Sequence, residues 1–133
     1  MKLSEYFERA SGQAILSTAD SSGRVTIAIY STPRVLDDGT LCFIMRERLT
    51  YRNLKENPHA AFMFIEDGTG YRGIRLFLTK VREDDNPEMI KKMTRRYLTP
   101  EEDELKGPKH LVIFRVDRIL PLIGDGDTGI KVI

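Results

Sequence analysis

Residues 13–31 read QAILSTADSSGRVTIAIYS. Gln13–Ala19 and Val25–Ser31 are apolar, β-branched-rich runs, and the polar, glycine-bearing DSSGR at 20–24 lies between them. So short a connection returns the chain antiparallel to itself, since a parallel crossover needs about a dozen residues or more. The pattern recurs at once: RVL at 34–36 and LCFIM at 41–45 flank a second turn, DDGT. Pro33, between the two hairpins, has no N–H for a ladder, so the chain is expected to bend or change partner near Thr32-Pro33. A barrel corner meets that need better than a flat sheet.

Further strands follow in AAFMFI at 60–65, in IRLFLTKVRE at 74–83 after the loop EDGTGYRG, and in LVIFRVDRILPLI at 111–123. Leu3, Tyr6, Phe7 and Ala10 recur at helical spacing ahead of the Ser11-Gly12 stop, giving an amphipathic entry helix. Asn86 as cap and Pro87 at the first helical position open a second helix, whose apolar stripe is Met89, Ile90, Met93 and Tyr97. Residues 99–110 read as a polar connector and GDGDTGIKVI at 124–133 as a mobile tail. Strands dominate, with short helices inserted: a mainly β (α+β) class and an antiparallel barrel of about six strands, closed or partly open.

A chain of 133 residues is expected to form one domain, 1–133. Its 21 Lys plus Arg against 20 Asp plus Glu leave no global field to attract nucleic acid or an anionic membrane, so any anion site must be local. Cys42 is the lone cysteine, and no Cys or His pair has metal-ligand spacing, which fits a reducing cytoplasm and no structural metal. The charged N-terminus lacks the apolar run of a signal peptide, and no segment approaches a membrane span.

One stretch carries an apparent contradiction. RERLTYRNLKENP at 46–58 places Arg46, Arg48 and Arg52 around the first turn of a short helix, where cations oppose the helix dipole. With Thr50 as N-cap, Leu49 and Leu54 can pack as a hydrophobic staple. Asn57-Pro58 stops the helix within about two turns. Free backbone N–H groups, the Thr50 hydroxyl and the guanidinium groups then converge on a volume suited to a phosphate. The same spacing also lets Glu47 and Glu56 pair with the arginines on a solvated surface, for at most ~1 kcal/mol per pair. Both readings stand on spacing alone.

The pattern LTYRNLKENPHAAFMF at 49–64, preceded by two hairpins and followed by RLFLTKV at 75–81, resembles the pyridoxamine 5′-phosphate oxidase-like, FMN-binding split-barrel family. The resemblance covers roughly Gln13 to Glu83, with the last strand included. It implies a split barrel, a homodimer and FMN at the interface. It assigns the flavin phosphate to Thr50 and Arg52, with Arg48 or Arg46 assisting and Leu49 in the same turn. It lays the ring against Ala28, Ile29, Tyr30 and Ser31 and against the strand Phe43–Met45, with Arg75 lining the site. Relatives with a deazaflavin or haem make these alternative cofactors. Thr50 and Tyr51 stand where the oxidases themselves carry a basic run, and LVIFRVDRILPLIGDG lacks their Arg-rich C-terminal signature. Both departures point away from pyridoxamine 5′-phosphate oxidase activity itself.

Other residues offer less chemistry. His59 and His110 have no carboxylate or Cys partner at useful sequence spacing, so neither reads as a metal ligand or general base. Cys42, in an apolar strand, reads as a small buried thiol. Tyr71-Arg72-Gly73 either covers a bound ring or forms a mobile turn. With no acid–base constellation, the chemistry falls to the cofactor: electron or hydride transfer to a small molecule, or, as the alternative, a binding or sensor role for FMN, deazaflavin or haem. An oligonucleotide-binding barrel is disfavoured by the balanced charge.

Overall fold

A computed structural model of the chain describes residues 1–94 and 98–133. Helix α1 (Leu3–Arg9) leads into β1 (Gly12–Ala19), which pairs antiparallel with β2 (Val25–Tyr30) across the DSSGR turn. Asp20 makes that turn: its carboxylate accepts from the backbone N–H groups of Ser22 and Arg24. The second hairpin joins β3 (Arg34–Val35) to β4 (Leu41–Arg46), and Asp38 likewise accepts from the Thr40 N–H. Then come α2 (Leu49–Glu56), β5 (His59–Glu66), β6 (Gly73–Asp84), α3 (Pro87–Met93), α4 (Pro100–Leu105) and β7 (Lys109–Pro121).

The seven strands form one sheet in the order β2-β1-β5-β6-β7-β4-β3, and every pair in it is antiparallel. The two edges, β2 and β3, are joined by only Ser31, Thr32 and Pro33. Edges so tightly linked must lie close together, so the sheet curls until they meet. The partner change expected at Pro33 takes place there, and because β2 and β3 do not pair, the barrel is split at this point. The curl is carried by the long β6 and β7, whose ladder shifts register at Phe77/Leu78 and Lys80/Arg82; such irregularities bend and twist a strand.

Inside the curl lie Leu16, Phe43, Phe62, Phe64, Leu76, Leu78 and Phe114, all at most 2 % exposed. Each such side chain stabilises the fold by about 1.5–3 kcal/mol through burial. Helix α1 closes the core: Leu3 is fully buried, and Phe7 meets Phe62 and Phe64 edge-to-face.

Two local expectations change. Residues 99–110 contain α4, opened by a capping box in which the Thr99 hydroxyl accepts from the Glu102 N–H and the Glu102 carboxylate from the Thr99 N–H. The tail is held: Leu3 N–H donates to the Lys131 carbonyl at 2.7 Å and Lys131 N–H to the Met1 carbonyl at 2.9 Å, making a parallel bridge. Tyr97, expected on the second helix's apolar stripe, lies outside the described residues, whereas Met89, Ile90 and Met93 pack around Cys42 and Ile113.

Candidate functional site

The split opens into a cleft of about 700 Å³. One wall is the edge strand β2 with residues 31–34, the floor includes Phe43 and Ile44 of β4, and the start of α2 closes one end. The far wall carries Met93, Thr94 and Leu98. Six cations line it, Arg34, Arg46, Arg48, Lys92, Lys106 and Lys109, and no carboxylate does among the described lining residues. Asp103, just outside the lining, pairs with Arg46 at 2.7 Å and Lys109 at 3.4 Å, which leaves Arg34, Arg48, Lys92 and Lys106 to raise the local potential for an anion.

Helix α2 is anchored from several sides. Asn53, 4 % exposed, donates to the Thr18 hydroxyl at 3.2 Å, and Glu56 accepts from the Ser21 hydroxyl at 2.7 Å. On the opposite side the Glu83 carboxylate accepts from Tyr51, Lys55 and Lys80 at 2.5–2.7 Å. Burial alone would raise the Glu83 carboxyl, but these donors outweigh it and hold it down at about 2. Arg52 N–H bonds the Arg48 carbonyl, so the N–H groups of Leu49, Thr50 and Tyr51 have no acceptor within the helix. The N-cap is Arg48, with no side-chain cap. This N-terminus is uncapped and immobilised at the end of a cationic cleft.

A family model described as pyridoxamine 5′-phosphate oxidase matches residues 3–122. The chain belongs to this family. Solved structures agree on the fold. An FMN-binding protein from Syntrophomonas wolfei subsp. wolfei superimposes with a TM-score of 0.72 at 24 % identity, over 92 % of this chain and 85 % of that one. An F420 reductase gives 0.68 at 18 % identity over 90 % and 97 %, and Group A Streptococcus HupZ gives 0.66 at 21 % over 89 % and 90 %. Among curated proteins, none matches the chain.

Within this pyridoxamine 5′-phosphate oxidase family fold, the residues singled out from sequence separate into groups. Ala28, Ile29, Tyr30, Ser31, Arg46, Arg48, Leu49 and Thr50 all line the cleft. Thr50 is not the N-cap expected: it lies one residue inside the helix and is 5 % exposed. The Leu49–Leu54 staple is absent because Leu49 is the first helical residue and 52 % exposed, while Leu54 is buried. The arginines do not pair with Glu47 or Glu56 on the surface, since Glu56 serves Ser21 and Glu47 meets His110.

Arg46 is committed elsewhere, donating to the Gly107 carbonyl at 2.6 Å and to the Asp103 carboxylate at 2.7 Å. Arg52 donates to the Glu47 carbonyl at 3.1 Å and lies outside the described lining. Met45 is 1 % exposed in the core, because side chains alternate along a strand and its neighbours Ile44 and Arg46 face the cleft instead. Arg75 holds the end of β7 and the chain just beyond it, donating to the carbonyls of Pro121 and Gly124. Tyr71, at φ 52° and 79 % exposed, borders a second groove that shares no described residue with the cleft.

Sequence reading did not find the wall formed by Lys92, Thr94, Lys106 and Lys109. The basic run IKKMTRR was its visible signal, but only the sheet order brings α3 and the start of β7 opposite β2. His110 also differs from expectation: it has two carboxylate neighbours, Asp85 and Glu47, neither close in sequence. Cys42 is buried as expected, and burial pushes its thiol up to about 11. Burial likewise raises the Tyr30 phenol, against the Thr50 hydroxyl and the Arg48 charge, so a neutral hydroxyl stands beside the uncapped turn. No described helix is long and apolar enough to cross a membrane.

Proposed function

We propose that the chain, as one domain spanning 1–133, binds FMN in the cleft and uses it for electron or hydride transfer to a small molecule. The observation that carries this reading is the uncapped, anchored N-terminus of α2 beside Arg48 and Thr50, in a cleft whose described charges are all positive. That donor set fits a phosphate dianion. The ring also has a fit. β2 is a sheet edge, so alternate backbone N–H and C=O groups of Ala28–Ser31 are free to meet the polar edge of an isoalloxazine, with Ile44 offering apolar contact. The flavin would supply the redox chemistry; Arg48, Thr50 and the helix N-terminus would hold its phosphate. Both histidines lie outside the described lining, which favours flavin, needing no axial ligand, over haem. The F420 reductase likeness keeps deazaflavin as the alternative cofactor.

We further read the protein as a cytoplasmic homodimer with the cofactor at the interface. Val25, Ile27 and Ile29 of β2 are 71–77 % exposed, an apolar stripe on an unpaired edge that natural proteins cover. Ile27 and Ile29 also line the cleft, so a second copy on this face would complete the site. No nucleic-acid or membrane partner is proposed.

The deciding experiment is the visible spectrum of the freshly purified protein, followed by FMN titration and light scattering. Bound flavin bands and a dimer are expected. A Soret band, or a colourless protein whose spectrum and fluorescence FMN does not change, overturns the flavin assignment.

A further inference from the structure

His110 is the second residue of β7, with its side chain 14 % exposed, and its ring stacks on Tyr51 with centroids 4.7 Å apart and planes 15° from parallel. Nδ1 lies 2.8 Å from the Asp85 carboxylate and Nε2 lies 3.2 Å from the Glu47 carboxylate. A carboxylate can only accept, and a neutral imidazole carries one N–H. Meeting both partners at once therefore requires the imidazolium.

The two carboxylates lead into two elements that line the cleft, α2 and α3. Glu47 precedes Arg48, the N-cap of α2, and its carbonyl accepts from Arg52. Asp85 precedes Asn86, the N-cap of α3, whose side-chain oxygen accepts from the Glu88 and Met89 N–H groups. Helix α3 carries Lys92 and Met93 to the far wall; Met89, Ile90 and Met93 pack its apolar side on Cys42 and Ile113, and Asp85 fixes its start. One ring thus ties the anion-binding turn to the start of the helix whose far end lines the cleft.

We propose that protonated His110 is a positioning residue for the cleft: it clamps the Glu47–Arg48 turn to the start of α3, and anion binding weakens when the proton is lost. This rests on the phosphate reading of the site. The groups facing His110 are Glu47 from the β4–α2 turn, Asp85 from the β6–α3 junction and the Tyr51 phenol from α2. Tyr51 is itself held by Glu83, with Lys55 over its ring at 4.8 Å. Burial works against the imidazolium, but Asp85 and Glu47 outweigh it and raise the group above its ordinary value of 6.5. Because the value in the folded protein is raised, the clamp is complete below pH 6.5 and is lost as pH rises through the higher folded value.

Two measurements test this. The first needs no flavin: in an NMR titration from pH 6 to 9, the backbone amides of Arg48 and Lys92 should shift with the same midpoint as the His110 ring, and H110Q should abolish that shared midpoint. Amides that ignore the ring's titration overturn the proposal. The second is FMN affinity between pH 7 and 9, where the phosphate is already a dianion. Wild type should weaken about three- to tenfold across this range, riboflavin hardly at all, and H110Q should show no step. A step that persists in H110Q refutes the role of His110. Absence of FMN binding at every pH, with the NMR coupling intact, refutes the flavin reading and leaves the clamp standing.

Discussion

Replacing Arg48 by alanine isolates the phosphate contact from everything else in the cleft. An arginine bound to a phosphate makes a charge-assisted hydrogen bond of about 1.5–3 kcal/mol. Arg48 is exposed, which places it at the lower end, and about 1.4 kcal/mol is a factor of ten in affinity. Neighbouring arginines cannot take over without breaking existing bonds: Arg46 holds Gly107 and Asp103 at 2.6 and 2.7 Å, and Arg52 holds the Glu47 carbonyl at 3.1 Å. FMN should therefore bind R48A about tenfold more weakly. Riboflavin, which lacks the phosphate, should bind both proteins alike. Stability should move by no more than about 0.5 kcal/mol, because an exposed side chain with no cap bond is being removed. R52A should affect FMN less than R48A. Flavin fluorescence titrations of both ligands against the three proteins read all of this. Equal loss of FMN and riboflavin in R48A, or a larger loss of FMN in R52A, would refute the argument.

Glu83, held at about 2 against an ordinary 4.5, binds fewer protons folded than unfolded, so its contribution is complete above pH 4.5 and is lost as pH falls toward 2. After allowance for solvent at its open side this amounts to about 1–2 kcal/mol; urea unfolding at pH 6 and pH 3 should show it, and E83Q should lower stability at pH 6 and flatten that difference. Phe43 is 2 % exposed and meets the rings of Tyr30, Phe62 and Phe114 edge-on at 5.5–5.9 Å; F43A should cost about 3–5 kcal/mol in urea melts, and a loss below 1 would show that the core collapses around the gap. I29D, on the exposed β2 stripe, should convert dimer to monomer in light scattering and weaken FMN; an unchanged dimer would move the interface to another face.

How much of this was legible beforehand follows the range of the forces involved. The hairpins at DSSGR and DDGT, the Pro33 corner and the Asn86-Pro87 helix start were readable because turn chemistry and caps act within a few residues. Resemblance carried the split barrel and the family. Thr50 as cap was misread because the signal is degenerate: Ser and Thr favour caps, but Thr50 is buried against the split barrel, and tertiary packing outweighs a preference of about 1 kcal/mol. The helix at 100–105 was passed over because its composition is polar on every side, and only the Thr99–Glu102 capping box marked it.

The short polar turns alone determined that the strands they join pair antiparallel, and the apolar run around Cys42 marked its thiol as buried. They did not determine which cations share a space. Arg48 and Lys109 stand far apart along the chain, yet they line one cleft because β7 inserts between β6 and β4. The same insertion sets His110 between Glu47 and Asp85. Periodicity reports which side of its own strand a residue occupies, and it is silent about strand order. Closing the long loops that fix that order costs an entropy that grows only slowly with their length, so the decision falls to burial summed over the whole curled sheet, a quantity that exists only once the tertiary structure does.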